Sequence, residues 1–417
     1  MGEVMRVLML TQVVVYPADA GPKVKTLQVL RHLAQHHEVI YCSFVRGEEE
    51  MRGAEKLREF CARIEMVPMR RSRLADARYL LESLLLGDSF ILRRDERAEM
   101  RAKVAQLLKE EQIDVMHVDQ LNMMRFVPSD WQGTVVLDEH NAVWQVVERL
   151  QKGARNPLLR LLLGREVRVV RKLEGQACRR AQIVLAVSEH DREALHEVAG
   201  NAVPVEVVPI TVDAGQFTAI WEARQANEPR PDHLFTIGTM FWPPNSEGVA
   251  WWLREGYDRL RTLRPDVTYD IVGARPPQYL LALAEQKPGV RAHGYVADAA
   301  PFWLESTALI VPLLSGGGVR VKILEAMAMG VPVVSTTVGC EGLEVQDGVH
   351  LLIADTPQAF ATACARLLTD ARLVRLLARN ARQLILERYD ASTALRPLDL
   401  IYERQQATIP ERGLTYE

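Results

Sequence analysis

Two doubly wound α/β domains, each a parallel sheet with helices on both faces, are what this sequence predicts. Three observations carry that expectation. Short apolar runs alternate with helical segments through both halves of the chain. The alternation restarts after a polar, proline-containing stretch near the middle. Glycine-bearing turns follow strands at the places where such sheets bind ligands.

In the first half the expected strands are Val4–Thr11, Glu38–Phe44, Ile64–Pro68, Val115–Val118, Thr134–Asp138, Ile183–Val187 and Val205–Val208. Helices are expected over Lys23–Gln35 and Arg97–Glu111. Residues 213–232, ending in Glu228-Pro229-Arg230-Pro231-Asp232, combine proline and charge and read as a linker. The second half restarts with strands at His233–Gly238, Thr268–Val272, Val290–His293, Ala308–Leu313, Val331–Ser335 and His350–Ile353. Its expected helices are Ser246–Arg264, Pro276–Glu285, Gly318–Ala328 and Pro357–Thr369. The domains are thus expected at 1–212 and 233–390, with 391–417 forming a C-terminal helix that packs back toward the first domain, plus a tail. Both sheets are expected to turn their carboxyl ends to a central cleft.

With 417 residues the chain is long enough for two or three cores. Its 48% hydrophobic and 25% charged content is that of an ordinary globular protein. A formal charge of -3 gives no case for nucleic acid as a partner. The five cysteines include no CxxC pair, so neither a disulfide framework nor a zinc site is indicated, and a reducing cytoplasm is expected. The chain enters its first strand, MRVLMLT, with no apolar targeting segment before it, and no run reaches the roughly 18 apolar residues of a spanning helix.

The stretch with the most chemistry is Pro312–Leu343, PLLSGGGVRVKILEAMAMGVPVVSTTVGCEGL. A strand runs into Gly316, Gly317 and Gly318, then Val319, Arg320 and Lys322, then a helix carrying Glu325. Glycines at a helix entrance let backbone N–H groups approach an anion. Arg320 and Lys322 add positive charge, and Glu325, one turn beyond Lys322, suits a ribose diol. The unit reads as a clamp for a nucleotide diphosphate. Neither a GxGxxG fingerprint nor a phosphate loop ending in Gly-Lys-Ser/Thr is present, which argues against a nicotinamide enzyme or an ATPase.

Three first-half loops follow strands in the same way: Tyr16–Gly21, Asp119–Asn122 and Asp138–Asn141. His140, ending GTVVLDEHN, is the candidate for exchanging a hydrogen bond or proton with a substrate hydroxyl. Its bland alternative is a structural histidine. Gly21 lets substrate approach a helix start, and Asp119 is an acid facing an acceptor; each reads equally well as an ordinary loop residue.

With these residues in view, the chain resembles the large glycosyltransferase family 4, retaining enzymes of GT-B fold with two Rossmann-like domains. IVGARPP, GVRAHGYVAD, the Gly316–Leu343 block and HLLIADTP occur in the family's order, while RVLMLTQVVVYPADAG, DEHN and AVSEHD match more loosely. It is similar in particular to the bacterial branch that assembles exopolysaccharide and cell-envelope sugars. The resemblance implies a metal-independent hexosyltransferase. It would move a sugar from a UDP- or GDP-linked donor to a sugar or lipid-linked sugar acceptor, with no cofactor beyond the donor itself. It assigns Glu325 to the donor ribose and Gly316–Gly318 with Val319 to the sugar and diphosphate. His140 goes beside the donor sugar, and Gly238, Gly294 and Tyr295 to donor-contacting loops. His140, Arg320 and Lys322 form the expected catalytic set.

The chain departs from the family pattern in three places. Gly317 stands where the first of two paired acids is usual. The loop GTMFWPPNSEG lacks the customary Arg and Lys, which leaves the diphosphate to Arg320 and Lys322. Ile210-Thr211 replaces a common Asn-Gly. Two other readings fit the same residues: a nonenzymatic sugar-nucleotide-binding protein, motivated by Gly317, and a sugar-nucleotide epimerase, which would need paired acids.

Residues 151–180 hold nine Lys or Arg against Glu166 and Glu174, with leucines and valines between. A basic amphipathic helix of this kind suits an anionic membrane surface, on the inner face of the cell membrane. A core helix with a solvated basic face is the plainer alternative. Met69–Arg94 has similar character.

Overall fold

The computed structural model describes residues 4–18, 21–154, 156–227 and 229–406. Arg155 of the basic segment, Glu228 of the expected linker and the tail 407–417 lie outside the described residues.

The chain divides into two compact units. One holds the chain through Ile210 together with the residues from Leu395 on, and the other holds Thr211–Ala394. In the first unit a parallel sheet is built from β1 (Arg6–Thr11), β2 (Glu38–Val45), β3 (Arg63–Pro68), β4 (Val115–Asp119), β5 (Thr134–Asp138), β6 (Ile183–Ala186) and β7 (Val205–Val207). Its spatial order is β3-β2-β1-β4-β5-β6-β7. β1, β4, β5 and β6 are buried almost throughout, which is why they read as unbroken apolar runs rather than alternating ones: helices cover both faces.

The second sheet comprises β8 (His233–Ile237), β9 (Thr268–Val272), β10 (Val290–Gly294), β11 (Ala308–Val311), β12 (Val333–Ser335) and β13 (Leu352–Ile353), in the order β10-β9-β8-β11-β12-β13. β10, at the edge, shows the alternating burial of a half-covered strand. Among the described residues the strands of both sheets pair in parallel, as the strand–helix alternation implies. The strand order reverses direction between β1 and β4 in one unit and between β8 and β11 in the other. Those two reversal points are where crevices open outside the strand ends of open α/β sheets.

One long helix expected over Ser246–Arg264 spans Pro243–Leu263 with a π turn at Trp252–Gly256. Trp252 is fully buried, and a side chain at Gly256 would run into its ring. The widened turn therefore coincides with the aromatic anchor of the second core.

Residues 213–232 are corrected from a linker to part of the second unit. Asp213 accepts the N–H groups of Gly215 and Gln216 and starts a short turn that runs on into a helix over Thr218–Ala226. Trp221 on that helix covers Gly330, and the Arg224 guanidinium donates to the carbonyls of Trp303 (2.7 Å), Ser306 (2.9 Å) and Gly330 (3.3 Å). A flexible connection would not pack a half-buried tryptophan and arginine against the domain in this way. The proline-rich composition that suggested a linker is confined to the last few residues before β8.

The Arg396–Gln406 helix joins the first unit, with Tyr402 Oη 2.9 Å from His117 Nδ1 and its ring stacked on His37. No helix among the described residues is long and apolar enough to cross a membrane.

Candidate active site

In the second unit Gly238, the glycine turn, Arg320, Lys322 and Glu325 gather at the reversal point between β8 and β11, whereas Gly294 and Tyr295 follow from the edge strand β10. β11 ends at Val311, and the glycine turn follows it with left-handed backbone at Gly316 (φ 110°) and Gly318 (φ 79°). Only glycine adopts these angles without strain. A Cβ at Gly316 would also lie 2.9 Å from an Arg320 nitrogen and 3.3 Å from the Trp242 ring.

Arg320 is buried and turned back on the loop: its Nη1 donates to the carbonyls of Gly317 and Gly318 (2.8 Å to the latter), and its guanidinium lies 5.8 Å from the Trp242 ring. It braces the turn. Val319 beside it is buried. The helix opens at Val321, later than the Gly318 expected from sequence, because Arg320 is still extended.

Lys322, in the first turn of that helix, reaches across to the first turn of the helix that follows β8. Its Nζ donates to Asn245 Oδ1 at 3.1 Å, and Asn245 in turn donates to the Thr239 carbonyl at 3.0 Å. Gly238 (φ 152°) makes room: a Cβ there would stand 2.5 Å from Lys322 Nζ. Burial, and then the neighbouring Arg320, push the Lys322 ammonium down to about 8. Burial also raises Glu325, one turn on, to about 7, with Lys322 pulling the other way. A poised lysine and a poised acid thus share one helical turn. Gly294 ends β10 in a left-handed conformation, φ 69°, and Tyr295 after it is 77% exposed.

The first unit carries a second cluster at its own reversal point. β4 ends in Asp119 and β5 in Asp138, followed by Glu139 and His140, and all four side chains are buried. Asp119 Oδ1 lies 2.9 Å from His140 Nε2 and accepts from Thr26 Oγ1 at 2.8 Å. The loop acid and the histidine expected from sequence are therefore a single buried pair. Gly21 opens the helix Gly21–His36, whose first turns supply Thr26 and Lys25. Lys25 Nζ bonds Asp138 Oδ1, and His117 Nε2 stands 3.4 Å from Asp138 Oδ2. Burial would lift the Asp138 carboxyl, but Lys25 and His117 hold it well below the usual carboxylate range. Burial, with Glu174 nearby, pushes Glu139 well above its ordinary value.

Lys25, Thr26, Asp138 and Asn245 are site residues the sequence reading did not single out. No local signal marks Lys25: it is the fifth residue of its helix, past the first turn where a cation would oppose the helix dipole.

In the basic segment, the helix Pro157–Arg180 uses most of its charges structurally. Glu174 accepts the N–H groups of Val143 and Trp144, and Glu166 accepts from Ser89 Oγ and the Ile91 N–H, so each buried acid caps the start of a neighbouring helix. Arg165 donates to the Ser83 and Asp88 carbonyls, and Arg179 and Arg180 to those of Val198 and Val127.

Residues 231–370 match the model for glycosyl transferases group 1, and residues 21–216 match that for glycosyltransferase family 4. A 44.6 kDa protein encoded in the cps region of Klebsiella pneumoniae is 28% identical over 166 residues, a match that spans 38% of this chain and 43% of that protein. Among solved structures, Anabaena Alr3699/HepE in complex with UDP and glucose superposes with a TM-score of 0.68 at 16% identity, covering 96% of this chain and all of that one (100%). Sucrose-phosphate synthase from Thermosynechococcus elongatus gives 0.68 at 16% identity, covering 97% and 100%. WaaG, a glycosyltransferase of lipopolysaccharide biosynthesis, gives 0.62 at 16% identity, covering 95% and 99%. At such identities the structural likeness establishes the GT-B fold alone. The matched models between them span most of both units, and the chain belongs to glycosyltransferase family 4, the group 1 glycosyl transferases.

Proposed function

We propose that this glycosyltransferase is a retaining, metal-independent hexosyltransferase that takes a sugar from a nucleotide-sugar and passes it to an acceptor hydroxyl in polysaccharide or glycolipid assembly. The observation that carries the proposal is the convergence of the glycine turn, Lys322 and Glu325 at the β8/β11 reversal point. The turn offers backbone N–H groups to the diphosphate, Lys322 its charge, and Glu325 a pair of acceptors for the ribose. Arg320 acts through the turn it braces, as a positioning residue. The UDP and UDP-glucose bound by HepE favour a UDP-linked donor over a GDP-linked one.

As the glycosidic bond stretches, negative charge grows on the departing diphosphate, and a fixed cation in a dry site is what stabilises it. Lys322 serves there in place of a divalent ion. His140, held by Asp119, is the group for a substrate hydroxyl. Asp119 is committed to Thr26 and His140, and Asp138 to Lys25, so neither is set as a nucleophile. Retention, which the family resemblance implies, would then proceed by a same-face displacement, with the reaction on the cytoplasmic side of the membrane.

The test is donor binding and turnover as a function of pH. Glu325 must lose its proton to accept a diol, so use of UDP-glucose rises through about pH 7; Lys322 loses its charge above about pH 8. The donor kcat/KM is expected to be bell-shaped with limbs near those values, and Glu325→Gln to flatten the acid limb. UDP-, GDP- and dTDP-sugars that all fail to shift the melting temperature, with no sugar released or transferred, would leave only a family member without this activity. NMR of the product anomer checks retention.

The membrane partner is proposed on narrower ground than charge alone. Leu158, Leu159 and Leu161 in the first turns of the Pro157–Arg180 helix are exposed, as are Leu74, Leu81, Leu85 and Leu86 on the Arg73–Leu86 helix, which Arg165 ties to it. Leucines beside arginines suit an anionic lipid surface. The protein is expected to float with liposomes containing anionic lipid, and Leu85→Ser with Leu161→Ser to return it to the bottom fraction. Wild-type protein found only at the bottom would rule this surface out.

A further inference from the structure

Away from the carboxyl ends of the first unit's strands, three metal-capable side chains converge. His32 and His36 are four residues apart on the Gly21–His36 helix, so both rings leave the same face. Asp399, on the Arg396–Gln406 helix, meets them: its Oδ1 is 2.7 Å from His32 Nε2. One ligand atom from each of the three lies within 4.8 Å of the others, and the two imidazoles stand edge to face with centroids 5.5 Å apart. We propose that His32, His36 and Asp399 bind a divalent transition ion, Zn2+ above all, which clips the C-terminal helix to the first helix of the fold.

The donor set selects the ion class. Two imidazoles and one carboxylate suit Zn2+, Cu2+ or Ni2+, whereas Mg2+ and Ca2+ want oxygens. Zinc bonds of about 2.0–2.2 Å put tetrahedral ligands roughly 3.5 Å apart. Side-chain rotation reaches that spacing by opening the 2.7 Å His32–Asp399 contact and closing any wider one, since His36 is exposed and Asp399 half-buried. The same exposure gives the ion its way in and leaves a fourth position for water. The ion would add to contacts already made by Tyr402, within one turn of Asp399, whose ring stacks on His37 at 5.3 Å and whose hydroxyl meets His117. Three residues that seal a terminal helix onto the body of a domain are a sensible place for a metal, because binding energy there becomes folding energy. The pair His32–Asp399 is 367 residues apart in sequence, so no local motif announces the site.

The site is independent of donor chemistry and is tested on untagged full-length protein. Zn2+ is titrated in competition with a chromophoric chelator, and Co2+ is followed by its visible bands. One ion per chain is expected in the micromolar range or tighter, unaffected by excess Mg2+, with a raised melting temperature. His36→Ala and Asp399→Ala, both on accessible side chains, are each expected to weaken binding by tenfold or more and to abolish the thermal shift. Absence of micromolar Zn2+ binding, displacement by Mg2+, or variants that bind as tightly as wild type would each overturn the assignment.

Discussion

Replacing Lys322 by alanine is expected to lower turnover by about 100-fold or more while leaving the fold intact. The size follows from where the charge sits. The ammonium is held in place by Asn245 Oδ1 and admitted by the bare Gly238, in an environment that has already pushed it down to about 8. A cation that is costly to keep there contributes most when an anion forms beside it, and the anion forms in the transition state. The loss therefore falls on kcat more than on donor KM. Asn245→Ala, which releases the lysine and the Thr239 carbonyl but leaves the charge present, should lose less. Arg320→Ala should loosen the glycine turn and raise donor KM as well, because its guanidinium bonds the carbonyls of Gly317 and Gly318. Wild-type steady-state turnover in Lys322→Ala, with wild-type melting, would remove the lysine from the mechanism.

The sheets were legible in the sequence because a parallel strand covered on both faces needs an unbroken apolar run. Such runs mark β1, β4, β5, β8 and β11 within a residue or two at most ends. The glycine turn was legible because positive φ at Gly316 and Gly318 demands glycine. What Arg320 does was not, since sequence reports a charge but not the carbonyls it turns to. The helix at Thr218–Ala226 was hidden by the prolines just after it; its anchors, Trp221 and Arg224, act only once Gly330 and Ser306 are folded beneath them. Lys25 and Asp138 are 113 residues apart, so their pairing is a property of strand order alone. The same holds for Asp119 and His140, each read separately from sequence and joined only by the adjacency of β4 and β5.

That buried pair of Lys25 and Asp138 is where the largest loss of stability is expected. Asp138→Leu strands an ammonium with no solvent exposure to speak of, left with the carbonyl of Glu139, and removes the carboxylate that faces His117. Removing one member of a buried ion pair typically costs about 3–5 kcal/mol, because the remaining charge is left uncompensated. The sign with pH follows from the depressed Asp138 carboxyl. Its contribution is complete above the unfolded carboxylate range of about 4 and is lost only as pH falls toward the lower folded value. Urea denaturation at pH 7 should therefore show the full deficit of Asp138→Leu, and the gap to wild type should narrow only in strong acid. The double variant Lys25→Met, Asp138→Leu removes both charges and should recover most of the loss, since apolar replacement of a whole buried pair is often neutral. A double variant as unstable as the single one would mean that the stability comes from packing around β5 rather than from the charge pair.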